Sequence, residues 1–146
     1  MRKNVVIFYD DEPGFMEEDI NILKENAFVV EVFSSAEELI KRVQSNPHNI
    51  CLIVSELIVH GEGNNFHGRR KENFENCALY LLDEFDSLPE KDIISKIPKM
   101  IFTNWGHAQN EKFLLQMQKD LRVKKALKKR DSLPTSFILL VKSLVK

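Results

Sequence analysis

Short apolar runs alternate five times along this chain with segments whose apolar residues recur at helical spacing, and few folds accept that order. Val5-Val6-Ile7-Phe8-Tyr9 is followed by Gly14 to Asn26, where Phe15, Ile20 and Leu23 fall on one helical face. Phe28 to Phe33 reads as a strand, and Ser35 with Glu38 forms a capping box ahead of Leu39, Ile40 and Val43. Ile50-Cys51-Leu52-Ile53-Val54 is apolar without alternation, as a central parallel strand covered on both faces must be. A polar stretch from His60 to Glu75 precedes a helix carrying Leu79, Leu81, Leu82 and Phe85. Met100 to Phe102 forms the next strand, and Phe113, Leu114 and Met117 mark the helix after it. Val123 to Leu127 is the expected last strand, and Ser132 the expected cap of a final helix through Phe137, Leu140, Val141 and Leu144. This order implies an α/β fold, a doubly wound five-stranded parallel sheet with right-handed crossovers.

At 146 residues the chain fits one domain, residues 1–146, with no repeat or linker. A net charge of −1 gives no global steering toward nucleic acid or an anionic membrane. No apolar run approaches the ~20 residues of a membrane helix, and Met1-Arg2-Lys3-Asn4 leads directly into a strand without a signal-peptide pattern. Cys51 and Cys77 lie in apolar segments without metal or disulfide spacing, so both read as reduced core thiols. The expected location is the cytoplasm.

Sites in such sheets lie at the carboxyl ends of the strands, near the topological switch point. The residues there are Asp10 and Asp11, then Ser55 and Glu56, then Thr103 and Asn104, then Lys128 and Lys129. Adjacent carboxylates at a strand mouth repel each other and are hard to desolvate, so they call for a hard cation or a basic partner. The bland alternative for Asp10-Asp11-Glu12-Pro13 is a solvated turn with Pro13 opening a helix.

With these residues in place the chain resembles a response-regulator receiver domain, the flavodoxin-like (βα)5 module of two-component signalling, over essentially its whole length. Tyr9-Asp10-Asp11-Glu12-Pro13 is similar to the family's acidic pair, and Thr103 to its switch hydroxyl. The family's site lysine falls on Lys129, with Arg130 the alternative one residue on. Leu52 to Leu57 is similar to the third strand, where the family carries its phospho-accepting aspartate; here that position is Glu56. The usual proline turn after it is replaced by Ile58-Val59-His60-Gly61, and an inserted loop near 60–75 follows. Asn104 stands where a small residue is usual, and Ala126 or Leu127 where an aromatic is.

The resemblance implies Mg²⁺ held weakly by Asp10, Asp11 and Glu56, with Thr103 and Lys129 completing the catalytic set around Glu56. In a working receiver the aspartate attacks a phosphoryl donor while cation and lysine neutralise the developing charge. Glu adds one methylene and moves its carboxylate by about 1.5 Å, and errors near 1 Å in such sites can cost about a hundredfold in rate. The expectation is a pseudo-receiver whose Glu56 is not efficiently phosphorylated. Glu56 then either holds Lys129 or Thr103 permanently, imitating the phosphorylated state, or pairs inertly with Lys129. The competing expectation is an active receiver that phosphorylates and dephosphorylates itself with Mg²⁺. The implied partners are a sensor histidine kinase or a downstream signalling protein, met through the last strand and the helices after the fourth and fifth strands; a homodimer is the alternative.

Three further signals weigh less. Gly63 to Arg70 has P-loop outlines, but Arg69 and Arg70 replace the required Lys and Ser/Thr. Lys124, Lys125, Lys128, Lys129 and Arg130 read as guards of a sheet edge in preference to a nucleic-acid patch. Asp10 and Glu12 are spaced like the acid pair of haloacid-dehalogenase-type phosphohydrolases, whose second acid is an aspartate.

Overall fold

The computed structural model describes residues 3–64, 66, 76–104 and 108–146. Five parallel strands, β1 Val5–Tyr9, β2 Val29–Phe33, β3 Ile50–Ser55, β4 Lys99–Thr103 and β5 Lys125–Lys128, lie in the order β2-β1-β3-β4-β5. The helices are α1 Glu17–Glu25, α2 Ala36–Ser45, α3 Cys77–Asp86, α4 Lys91–Ile94, α5 Ala108–Gln118 and α6 Pro134–Leu144. The doubly wound reading therefore holds. The single turn α4, which lacks the length for a periodic signal, is an addition to it.

The pleat divides the apolar side chains between two cores. Val5, Ile7 and Tyr9 of β1, with Ile53 and Ile101, face α2, α3 and α5 through Leu39, Leu81 and Met117. Val6 and Phe8, with Leu52, Val54, Met100 and Phe102, face α1 and α6 through Leu23, Phe137 and Val141. Phe102 and Phe137 stack with ring centroids 5.0 Å apart. Fully burying such a ring stabilises by about 2–3 kcal/mol. Cys51 and Cys77 are buried free thiols. Among the described residues no helix is long and apolar enough to cross a membrane.

Local chemistry sets the element ends, with three departures from expectation. Pro13 opens a 3-10 turn, Pro13–Met16, so the first helix starts at Glu17 and not at Gly14. Ala27 ends α1 at φ 68°, with Phe28 N donating to Leu23 O at 3.1 Å and Ala27 N to Lys24 O at 3.2 Å; glycine is the usual residue at this left-handed closure. The last strand starts at Lys125, because Asp120 first folds the chain into a turn by accepting from Arg122 N at 2.9 Å. Ser132 does not cap the final helix. Leu133 holds the cap position without a side-chain bond, Pro134 begins the helix, and the Ser132 hydroxyl donates to Leu133 O at 3.4 Å. Ser35, in contrast, caps α2 by accepting from Glu38 N at 3.3 Å.

Candidate functional site

Strand register brings the polar ends together. Tyr9 pairs with Ser55 across β1 and β3, and Glu56 N donates to Tyr9 O at 2.8 Å, so Asp10 and Glu56 leave the sheet side by side. Thr103 pairs with Lys128 across β4 and β5, which sets Asn104 and Lys129 on the same rim.

Lys129 is the hub. Its Nζ lies 2.6 Å from Asp10 Oδ2 and 3.3 Å from Glu56 Oε2, with all three side chains buried. Lys129 begins a 3-10 turn, Lys129–Asp131, that follows β5 directly and turns its side chain back over the sheet end. Asp10 Oδ1 accepts from Glu12 N at 2.7 Å, an Asx turn that fixes the carboxylate.

Glu56 carries more donors than any other acid here. Oε1 accepts from Leu57 N at 2.7 Å, and Oε2 accepts from Asn104 N at 3.0 Å as well as from Lys129. The buried Thr103 side chain is also hydrogen-bonded to it. Burial pushes the Glu56 carboxyl above the usual carboxylate range, and the Lys129 charge, Thr103 and Leu57 N pull it back. A full set of donors around a dry carboxylate is what makes its burial tolerable.

Asp11 behaves differently. Its Oδ2 accepts from His60 N at 3.0 Å, tying the loop after β3 to the loop after β1. Among the described residues Asp11 makes no hydrogen bond or ion pair with Glu56 or Lys129; hydrogen bonds gather Asp10, Glu56, Thr103 and Lys129, while Asp11 bonds to the loop.

Carboxylates are the right ligands for magnesium. As folded, though, Asp10 Oδ2 and Glu56 Oε2 share one ammonium, and Asp11 Oδ2 is taken by His60 N. Among the described residues no three His, Cys, Asp or Glu side chains group to hold an ion. In this arrangement the positive charge facing Asp10 and Glu56 is the Lys129 ammonium.

Two groups at this end escape a reading of motifs. Asn64, buried, accepts from Tyr9 Oη and from Ala36 N at 2.9 Å, and donates to Ser34 O at 2.9 Å and Gly61 O at 3.2 Å. It pins the post-β3 loop onto the start of α2. Gly63 sits at φ +81° beside it, where a Cβ would come 2.0 Å from Ser35 Oγ. Asp19, on α1, is 7% exposed, and its Oδ1 has no hydrogen-bond partner among the described residues. Burial pushes its pKa up to about 6, Glu18 adds to the rise, and the Lys129 charge opposes it.

The basic run does not form one patch. Lys129 enters the site, Lys128 pairs with Glu111, and Lys125 lies exposed on the edge strand β5. Residues 67–75 of the inserted loop, including Arg69 and Arg70 of the P-loop comparison, lie outside the described residues, as do Trp105 and His107. The Arg130 side chain lies outside them too.

This chain is similar in structure to the receiver domain of NtrX from Brucella abortus, with a TM-score of 0.65, 15% identity, and 97% of each chain covered. A CheY-like response regulator receiver domain protein from Methanospirillum hungatei gives 0.64 at 13% identity, covering 97% of this chain and 93% of that one. A response regulator from Desulfuromonas acetoxidans gives 0.64 at 14%, covering 96% and 94%. No family model and no curated protein matches the sequence. At such identities the likeness defines a fold, and the chain has the flavodoxin-like receiver fold.

Proposed function

We propose that this chain is a divergent receiver-like module of phosphorelay signalling in which Glu56 is a built-in anion at the acceptor position, acting by protein–protein interaction. One observation carries the reading: both Glu56 oxygens are already held by donors, namely Leu57 N, Asn104 N, Thr103 and Lys129. In the receivers this chain resembles, hydroxyl and lysine engage the phosphoryl group. Here the longer side chain brings its own negative charge to them, which biases the domain toward one state without a donor.

Phosphorylation needs a carboxylate oxygen free to attack phosphorus as the leaving group departs. Glu56 has its oxygens in bonds and its approach shared with an ammonium, so the self-phosphorylating reading is the weaker one. Divalent binding is weak for the same reason. Leu115 on α5, Leu139 on α6 and Leu133 before it are each more than half exposed, which supports output through these two helices toward a kinase, a downstream protein or a second copy.

The test is incubation with radiolabelled acetyl phosphate and Mg²⁺. The unaltered chain is expected to stay unlabelled, and Glu56→Asp to take up label as an alkali- and hydroxylamine-labile acyl phosphate with release of acetate. Stoichiometric labelling of the unaltered chain at Glu56 sinks the proposal.

A further inference from the structure

At the opposite end of the sheet, the chain carries charge of the other sign. A cavity of about 580 Å³ opens between the strand starts and the end of α6. Lys3, Lys96, Lys124 and Lys146 line it, and no acidic side chain does. Its apolar surface comes from residues such as Ile97, Pro98 and Leu144. The volume falls within the range of about 300–1,000 Å³ typical of small-molecule sites.

Two facts make this more than scattered surface lysine. The chain has 22 Asp and Glu against 21 Lys and Arg, yet none of these four ammoniums has an acidic partner among the described residues, whereas Lys128, Lys129, Arg42 and Arg122 all do. The four also come from separate parts of the chain: before β1, between α4 and β4, before β5, and after α6. Only the fold brings them to one opening. Strands of five residues put this opening about 17 Å from the Glu56 cluster, beyond a Debye length at physiological salt. The two poles are therefore electrostatically distinct.

We infer that this cavity is a binding site for an organic polyphosphate of nucleotide size. Lysine ammoniums serve as point charges for phosphate oxygens, and four of them, less the one negative charge of the Lys146 α-carboxylate, suit a triphosphate better than a monophosphate. The aliphatic wall accepts the apolar face of a base. The lining has no aromatic residue on which successive bases of a nucleic-acid strand would stack.

Methyl NMR on the full chain, with ATP as probe, tests this. Saturable shifts are expected at Ile97 and Leu144 with a dissociation constant below about 1 mM, and none at Val54 or Ile101 beneath the carboxylate end. AMP and inorganic phosphate should bind at least about tenfold more weakly. The double change Lys96→Gln/Lys124→Gln should weaken ATP at least tenfold, while Lys125→Gln on the sheet edge leaves it unchanged. Absence of saturable shifts overturns the inference, as does equal binding of AMP and ATP or indifference to the double change. Tighter lysine-dependent binding of oligo-uridylate or of an acidic peptide also overturns it. None of these outcomes depends on the state of Glu56.

Discussion

Lys129 donates to Asp10 at 2.6 Å across 119 positions of sequence, and the same ammonium reaches Glu56 at 3.3 Å. One cation thus serves two buried acids, and the chain ends of β1, β3 and β5 are locked by it. Lys129→Met keeps the stem but leaves both carboxylates uncompensated. Breaking a buried pair in this way costs about 3–5 kcal/mol. The loss, read as the urea midpoint at pH 7, should shrink by pH 4.5, because Glu56, whose carboxyl burial already pushes above the usual carboxylate range, then binds a proton that relieves the repulsion. The same variant should bind Mg²⁺ more tightly, since the ammonium no longer competes. An equal loss at both pH values would show that the pair is not electrostatic in effect.

Glu56→Gln looks isosteric, but both oxygens of Glu56 accept backbone N–H groups, Leu57 N on one and Asn104 N on the other. Whichever way the amide is turned, its NH₂ meets a donor. The expected cost is about 2 kcal/mol, with faster hydrogen exchange at the Asn104 or Leu57 amide. Unchanged stability with unchanged exchange would mean that these donors do not hold the native carboxylate.

The fold was legible because apolar periodicity is a local property of strands and helices. Val5 to Tyr9 and Ile50 to Val54 announce central strands by burial on both faces, and the order of elements then fixes the rim on which Asp10, Glu56, Thr103 and Lys129 emerge. Ser132 misled because a capping residue type before a helix does not show where the helix begins; Pro134 decided that. Asp11 was expected beside Asp10, but neighbouring residues at a strand exit diverge, and His60 N captured its carboxylate. Asn64 and Asp19 gave no signal at all. A polar residue in a glycine-rich loop reads as solvated, and a single acid among Glu17, Glu18 and Asp19 reads as helix-start charge. Their burial comes from tertiary packing that no local pattern encodes.

Asp19 offers a direct test of pH linkage. Its folded pKa, about 6, lies above the ordinary value of 3.8. The stability it contributes is therefore complete below pH 3.8 and lost as pH rises through about 6. At pH 7 the ionised group destabilises the fold by roughly 1–3 kcal/mol, because holding a carboxyl's pKa one pH unit too high costs about 1.4 kcal/mol once the group is charged. Asp19→Asn should raise the melting temperature at pH 7 and have little effect at pH 4, flattening the stability profile between them. A variant that is less stable at pH 7 would mean that the Asp19 charge is supported by Lys129 more than burial opposes it.

The loop after Glu56 is held at a distance from the site, through Asn64. Its amide side chain receives Tyr9 Oη and Ala36 N, and reaches the carbonyls of Ser34 and Gly61. Asn64→Ala removes these bonds in a buried setting and leaves the first turn of α2 short of an acceptor, at about 1–3 kcal/mol for each buried group left unsatisfied. A total near 3 kcal/mol is expected by thermal unfolding. Part of that energy belongs to the Tyr9 pair, so Tyr9→Phe and Asn64→Ala should fall short of additivity by about 1 kcal/mol in a double-mutant cycle. Strict additivity would place the loop anchor at Ala36 and Ser34 and remove Tyr9 from it. Because Tyr9 immediately precedes Asp10, a coupled result would mean that loop docking and carboxylate placement are transmitted through one residue of β1.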